Sequence, residues 1–211
     1  MAAAITAPSN CMVLRGVSWA TYQSLVRDLE SAPGKHLTYD RGLLEIMVPL
    51  PPHESYKRLI GRLVEVTTEE AEIEIRSLGS TTWSREDLQK GVEPDECFYI
   101  QNEPMMRGKT EIDLTVDPPP DLVIEIDNTS SSIDRMKICA SLGVPEVWRF
   151  DGVSLMFYRL ERAEYQMMEA SQVLPSLQQE DVLRFLQMSQ TMGETSWIRE
   201  FRQWIRQKLN P

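Results

Sequence analysis

The residues of this sequence best suited to chemistry are two carboxylates, each at or inside a short apolar run. Glu125 lies in DLVIEID, where the alternation of strand side chains places Asp121, Glu125 and Asp127 on one face. Asp95 follows Pro94 at the start of a second predicted strand, DECFYI. If the two strands pair, the carboxylates of Asp95 and Glu125 converge at one edge of a sheet.

Two such carboxylates predict a metal site. Buried like charges repel each other unless one group is protonated or a cation lies between them. Mg²⁺ suits the pair because it takes oxygen ligands, keeps several waters and bridges protein carboxylates to a substrate phosphate. Mn²⁺ accepts the same ligands and can substitute for it. Since such an ion lowers the pKa of a bound water and stabilises charge on a phosphodiester oxygen, the pair indicates metal-dependent phosphoryl chemistry.

Structural interpretations remain open for both carboxylates. Asp95, placed after a proline, can cap a turn. Glu125 can form an ion pair with Arg135 or Lys137 inside the core. The aspartates at the two ends of DLVIEID are more typical of residues exposed to solvent than of ligands, so the sequence favours only Asp95 and Glu125 as the metal carboxylates.

The elements that must position these residues alternate between helices and strands. Apolar residues at helical spacing predict helices over about 18–29, 53–72, 130–142, 178–192 and 196–209. Alternating patterns predict strands over about 36–40, 43–48, 73–78, 81–85, 95–100, 121–127 and 165–170, and a hairpin over 146–160. This order predicts an α/β fold in which helices flank a mixed β-sheet, with β-hairpins and a C-terminal helical segment.

Cap and turn residues mark the boundaries of these elements. Ser130 or Ser131 is expected to cap the helix that follows DLVIEID, and Gly143 is expected to end it. The polar segment 101–113 is expected to form a loop. Glu45, in a predicted hairpin, can face the same cleft as the two carboxylates, but a solvated face of the hairpin is favoured.

Composition and charge limit the classes of function. The chain has 211 residues, 42% of them hydrophobic, which is enough for one globular domain. With 22 Lys and Arg against 32 Asp and Glu, the net charge of −10 argues against a protein that coats nucleic acid by bulk electrostatics. Three scattered cysteines, no secretory pattern and no membrane-length apolar run predict a cytoplasmic protein with reduced thiols.

The predicted divisions are a flexible N-terminal arm over 1–14, a domain over 15–192, and an amphipathic helix over 193–211 that packs on the domain or at a dimer contact.

Three motifs, in order, carry a resemblance to a known superfamily. GVEPDECFYI, PPPDLVIEIDNTSSSID and LGVPEVWRFDG resemble the PD-(D/E)xK phosphodiesterases, which have the restriction endonuclease-like fold. More specifically, they resemble a bacterial branch of endonucleases long catalogued as a domain of unknown function. The resemblance covers about residues 17–190. It implies hydrolysis of DNA by a metal-activated water, and it suits a homodimer.

The resemblance also implies roles for particular residues. Asp95 would be the metal-binding aspartate and Glu125 the second metal carboxylate. The branch has a His-Glu pair in its first core helix, which His53 and Glu54 match. Glu54 would extend the metal site through a water, and His53 would contact phosphate or orient the pair.

The cationic residue of the branch differs here. The branch supplies a lysine about eight residues before the glycine of GVPE, and this sequence has Arg135 at that position. Arginine keeps its charge, so it can stabilise an anion but does not readily act as a base. Lys137, two residues further on, projects about 200° away on a helix, so only one of the two faces the carboxylates. Three hypotheses follow: an active endonuclease, a degenerate relative that binds nucleic acid or protein without cutting, or a structural dimer.

Overall fold

Eleven strands and six helices form the part of the chain that the structure describes, residues 10–29, 34–127 and 133–210 of a computed structural model. The strands are β1 (Cys11–Arg15), β2 (His36–Asp40), β3 (Leu43–Met47), β4 (Arg76–Ser77), β5 (Trp83–Arg85), β6 (Lys90–Val92), β7 (Glu96–Tyr99), β8 (Leu122–Ile126), β9 (Glu146–Phe150), β10 (Leu155–Glu161) and β11 (Glu164–Met168). The helices are α1 (Trp19–Leu29), α2 (Pro51–Glu70), α3 (Glu103–Met106), α4 (Arg135–Leu142), α5 (Gln179–Met188) and α6 (Glu194–Leu209).

The strands divide between two sheets, whereas the sequence predicted a single mixed sheet. A five-stranded sheet has the order β1-β3-β2-β6-β5 and is antiparallel throughout. A six-stranded sheet has the order β11-β10-β9-β8-β7-β4, and β8 and β9 are its parallel pair. Helix α4 makes the crossover that a parallel pair requires. The predicted α/β class is confirmed, with a second sheet added.

Strand β8 is buried on both faces, and each face packs on a different layer. Leu122, Ile124 and Ile126 pack with α2, α5 and α6 in the larger core. Val123 belongs to a second core that contains residues of α4 and of the five-stranded sheet. Glu125 shares the face of Val123 because strand side chains alternate. The glutamate of this apolar strand therefore points into the space beneath α4.

The five-stranded sheet closes this space from the other side. Helix α1 covers its outer face, where Tyr22 stacks on Tyr39 with ring centroids 4.7 Å apart. Side chains along β2 alternate between the two faces of the sheet. His36 and Thr38 therefore lie on the face opposite Tyr39 and point toward the six-stranded sheet. Both are buried.

The caps of α4 fix its position between the sheets. The side chain of Asp134 accepts a hydrogen bond from the backbone N–H of Lys137 and caps the first turn. Gly143 ends the helix with a φ of 83°, as predicted. Ser130 and Ser131, the predicted caps, lie outside the described residues. Within the described ranges, α4 contacts β5 and β6 of one sheet and β11 of the other.

Several predictions about local structure are wrong. The last part of the predicted N-terminal arm forms β1, which pairs with β3. The segment predicted as a polar loop contains the short helix α3, and β6 was not predicted. Glu45 is buried, where a solvated position was expected.

Among the described residues, no helix has the length and apolar character needed to cross a membrane.

Candidate active site

The pairing of β7 with β8 brings the two predicted carboxylates together. Their antiparallel register sets Glu96 opposite Ile124 and Cys97 opposite Val123. One step further, the same register sets Asp95 opposite Glu125, and opposed residues of a sheet share a face. Both side chains are buried. The predicted convergence therefore occurs at the start of β7, which Asp95 immediately precedes.

Asp95 is held by three groups from three elements. The backbone N–H of Ile126 donates to Oδ2 of Asp95 at 2.6 Å. Nε2 of His53, on α2, lies 3.2 Å from the same oxygen. Nδ1 of His36, on β2, lies 3.2 Å from Oδ1. These are the two histidines of the chain, and both are buried.

This environment keeps Asp95 ionised. Burial alone raises the pKa of a carboxyl group, because it disfavours the charged form. For Asp95 the close imidazoles of His36 and His53 and the positive charge of Arg135 outweigh burial, and its pKa lies below the ordinary value of 3.8. Asp95 is therefore a carboxylate at neutral pH.

Glu125 has a different environment. Burial raises its pKa against the opposing charge of Arg135, and the neighbouring Asp95 raises it further. Nη2 of Arg135 lies 3.0 Å from Oε2 of Glu125 and also donates to the backbone oxygen of Glu93 at 2.5 Å. The guanidinium is thus fixed beside the glutamate. Glu125 is the carboxylate whose charge most needs a cation.

The structure separates the two candidate cations. Arg135 faces the carboxylates, whereas the side chain of Lys137 is 80% exposed and pairs with Asp134 at 3.0 Å. The prediction that only one of them faces the site holds, and that residue is Arg135. The buried Glu45 also faces this space, and its charge acts on Arg135.

Glu54 lies at the rim of the site. Its side chain is 50% exposed, and Oε1 lies 3.8 Å from Nδ1 of His53. Its other oxygen lies 3.8 Å from Nζ of Lys57. Glu54 is therefore connected to Asp95 through the imidazole of His53, and it reaches the carboxylate pair only through an intervening molecule.

The donor set fits a magnesium site with two protein ligands. The residues that the structure describes contain no group of three or more His, Cys, Asp or Glu arranged to hold an ion. Within the same residues, Oδ1 of Asp95 and Oε1 of Glu125 are buried without a hydrogen bond. Buried carboxylate oxygens in this condition are stabilised by a cation. Mg²⁺ needs only one or two protein carboxylates, because waters and a substrate phosphate complete its shell.

Comparison with known families gives the clearest relationship. Residues 19–191 match the sequence profile of the Uma2 family, which is described as "Putative restriction endonuclease". The chain belongs to this family. The resemblance to a restriction endonuclease-like branch is thereby confirmed. A comparison with the curated proteins gives no match.

A solved structure is also similar to this Uma2 family member. It is the crystal structure of a "putative nuclease belonging to DUF820" from Anabaena variabilis. The two chains are 16% identical, and the superposition covers 77% of this chain and 90% of the other, with a TM-score of 0.49.

In this Uma2 family member, His36 is the site residue that sequence reasoning missed. Its one signal was rarity, since the chain has only one other histidine and that one lies in the His-Glu pair. The expectation that Asp121 is exposed to solvent is wrong. Asp121 is buried and accepts hydrogen bonds from the backbone of Ile100 and Asn102, so it anchors a loop. Asp127 is half-buried and pairs with Arg149.

Proposed function

We propose that this Uma2 family member is a Mg²⁺-dependent endonuclease that hydrolyses DNA phosphodiester bonds. The observation that carries the proposal is the buried pair of Asp95 and Glu125, each with one oxygen that lacks a hydrogen bond. A DNA substrate accords with the description of the family as restriction endonucleases. The proposed site therefore combines two carboxylate ligands with one fixed guanidinium.

Each residue of the site has a distinct task in this proposal. Asp95, kept ionised by its histidine neighbours, supplies a permanent negative ligand. Glu125 supplies the second ligand, and Glu54 binds through a water at the rim. Arg135 places positive charge beside the scissile phosphate but does not accept a proton, because a guanidinium stays charged. When bound, Mg²⁺ supplies a water of lowered pKa and neutralises charge on the phosphate.

The test is calorimetric titration of Mn²⁺ into metal-free protein, followed by assays of DNA cleavage. We expect Mn²⁺ binding by the wild type and its loss in Asp95→Asn and Glu125→Gln, with cleavage lost in parallel. Glu161→Gln, an exposed acid on β10, is the control that should behave as the wild type. The proposal is wrong if the wild type binds no Mn²⁺ with or without a DNA duplex, or if Asp95→Asn cleaves normally.

A second candidate function has one observation in its favour. The ion pair of Arg135 with Glu125 at 3.0 Å places a fixed positive charge against the carboxylate that would have to bind the metal. A family member locked in this way would bind nucleic acid or protein without cutting. Retained DNA binding with neither cleavage nor Mn²⁺ binding would favour this alternative.

We also propose that the protein acts as a homodimer, since two sites are needed to cut both strands of a duplex. Helix α6, one predicted contact, buries Trp197, Phe201 and Ile205 in its own core. The outer edge of β1 is a better candidate, because no strand in the described ranges pairs with it. Exposed edges of this kind readily pair with a second chain.

The register of β1 suits pairing about Val13. The backbone N–H of Val48 donates to the backbone oxygen of Asn10. In this register the backbone groups of Met12 and Leu14 bond to β3, whereas those of Val13 point outward from the edge of the sheet. The side chains of Met12 and Leu14 are 60% and 39% exposed. Antiparallel pairing of two copies about Val13 brings Met12 beside Leu14 of the partner subunit and covers both.

A disulfide at the two-fold axis tests this contact. In a Cys11→Ser background, Val13→Cys should form a disulfide-linked dimer, because paired residues of this kind have Cα atoms about 5.5 Å apart, within disulfide range. Leu14→Cys in the same background is the control, since its equivalent in the partner lies too far away. A monomer by light scattering together with no cross-link would refute the contact.

A further inference from the structure

We infer that His36 is a positioning residue that orients the metal-binding oxygen of Asp95, an inference that rests on the proposed function. His36 belongs to the five-stranded sheet, whereas Asp95 precedes β7 of the six-stranded sheet. Nδ1 of His36 lies 3.2 Å from Oδ1 of Asp95, and both side chains are buried. This contact therefore joins the two sheets at the site.

The lone pairs of Asp95 show why this contact matters. An ionised carboxylate has about four acceptor positions, two on each oxygen. The N–H of Ile126 and Nε2 of His53 occupy the surroundings of Oδ2. Oδ1 has His36 as its neighbour and keeps one position for a cation. Since His36 is the group beside Oδ1, it determines the direction in which that position points.

His36 is itself held firmly. It pairs with Met47 across the sheet, and β2 lies between β3 and β6. Its ring meets the ring of His53 edge to face, with centroids 6.3 Å apart and planes at 77°. Neither imidazole is aligned with its Asp95 oxygen as in an ideal hydrogen bond.

The chemistry of the imidazole ring predicts which substitutions preserve the contact. His36 uses Nδ1, the nitrogen nearer the backbone, and the amide nitrogen of asparagine occupies a similar place. His53 uses Nε2, which the longer glutamine side chain imitates. His36→Asn should therefore preserve the orientation of Asp95, whereas His36→Gln and His36→Leu should not. The three variants separate the position of a nitrogen from simple filling of space.

The test reads Asp95 directly through its bond to Ile126. In nuclear magnetic resonance spectra of metal-free protein, the Ile126 amide should shift in His36→Leu and His36→Gln but stay near the wild-type position in His36→Asn. The Asp127 amide, which donates to Phe150, is the control and should not move. An Ile126 signal that is unchanged in His36→Leu would overturn the inference, whatever the metal does.

Titration of Mn²⁺ into the same variants gives the second readout. Partners of a metal ligand typically contribute about 10- to 100-fold in metal affinity, so His36→Leu should bind Mn²⁺ more weakly by that factor and His36→Asn within about threefold of the wild type. Equal affinity in His36→Leu and the wild type would also overturn the inference. A wild type that binds no Mn²⁺ would instead refute the proposed function, while the Ile126 signal would still decide whether His36 orients Asp95.

Discussion

Arg135 is the residue at which the two candidate functions diverge. Its side chain is 13% exposed, and the guanidinium lies 3.0 Å from Glu125 and acts on the charge of Asp95. The carboxylates raise its pKa against the effect of burial, so it stays charged throughout the accessible pH range. A charge of this kind stabilises an anionic phosphate, but it offers no proton acceptor for the attacking water.

Arg135→Lys should therefore raise the rate of DNA cleavage. The resemblance to the bacterial endonuclease branch implies a lysine at this position, and an ammonium group can lose a proton when buried. Because proton transfer by a positioned group contributes about 10²- to 10⁴-fold, an increase of about tenfold or more is expected in a plasmid-nicking assay with Mg²⁺. Arg135→Met is the control and should show no increase. Cleavage that is undetectable in both variants and in the wild type would favour the binding function.

Gly91 illustrates a steric requirement outside the site. A Cβ at this position would lie 2.1 Å from the hydroxyl and 2.7 Å from Cζ of Tyr22, whose ring is stacked on Tyr39 and cannot withdraw easily. Gly91→Ala should lower the free energy of unfolding by about 1–3 kcal/mol, as overpacking of a core does. Urea denaturation measures this. Gly193→Ala has open space around its Cβ and should change stability by less than about 1 kcal/mol.

The sequence revealed the carboxylates of the site but not their neighbours. Asp95 and Glu125 were recognisable because each lies in a short segment whose own pattern is unusual. His36 was not recognisable, and Glu45 was assigned to a solvated face in preference to the cleft, since the role of each depends on how one sheet faces the other. Nothing within their own hairpin encodes that arrangement.

At the scale of elements, α2 and α6 are joined by a series of ion pairs. Arg62 pairs with Glu194 near the start of α6, and Arg202 pairs with Glu69 further along. Glu70 receives both Arg202 and Arg206. Since α2 carries His53 at its first turn, these pairs help to hold one neighbour of Asp95 in place.

Glu70 makes this junction dependent on pH. Hydrogen bonding from Arg206 lowers its pKa below the ordinary value of 4.5 against a smaller effect of burial, and Arg202 lowers it further. Because the folded-state pKa lies below the unfolded-state pKa, the ion pairs stabilise the fold above pH 4.5. This contribution disappears as the pH falls through the lowered folded-state value.

Thermal unfolding of Glu70→Gln tests this prediction. At pH 7 the variant should melt at a lower temperature than the wild type. Its free energy of unfolding should be lower by less than about 1 kcal/mol, since partly exposed ion pairs are screened by water. The difference should vanish on acidification below the folded-state pKa of Glu70. A difference that persisted unchanged at low pH would show that packing, not charge, is responsible.

Local patterns predicted most elements but not their distribution between sheets. The turn at Gly42 and the left-handed Gly143 produced correct boundaries, because turns and caps depend on a few adjacent residues. β6 was missed since it has only three residues, with Gly91 at its centre. Its place between β2 and β5 depends on partners distant in sequence, and no local pattern records them.

At the scale of the whole molecule, both sheets are needed to build the site. His36 comes from the five-stranded sheet, His53 from α2, and Glu125 from the six-stranded sheet. The chain also visits the sheets alternately, since β4 joins one sheet, β5 and β6 join the other, and β7 returns to the first. The six-stranded sheet supplies both carboxylates, and the five-stranded sheet supplies His36 beside Asp95.

A break in the exposed loop before β8 should divide the site between two polypeptides. Val116 is 81% exposed, so a chain cut after it leaves His36, His53 and Asp95 on residues 1–116 and Glu125 with Arg135 on residues 117–211. The two pieces, co-expressed, should purify together and bind Mn²⁺, and Asp95→Asn on one piece should abolish binding by the pair. Either piece binding Mn²⁺ alone as well as the whole chain would contradict this.

Because the proposed metal ligands Asp95 and Glu125 come from opposite sides of this cut, metal binding should require both pieces at once. Two proteins of interest, each fused to one piece, would restore the metal centre only when they meet. The two pieces would in this way report the association of the two proteins to which they are fused.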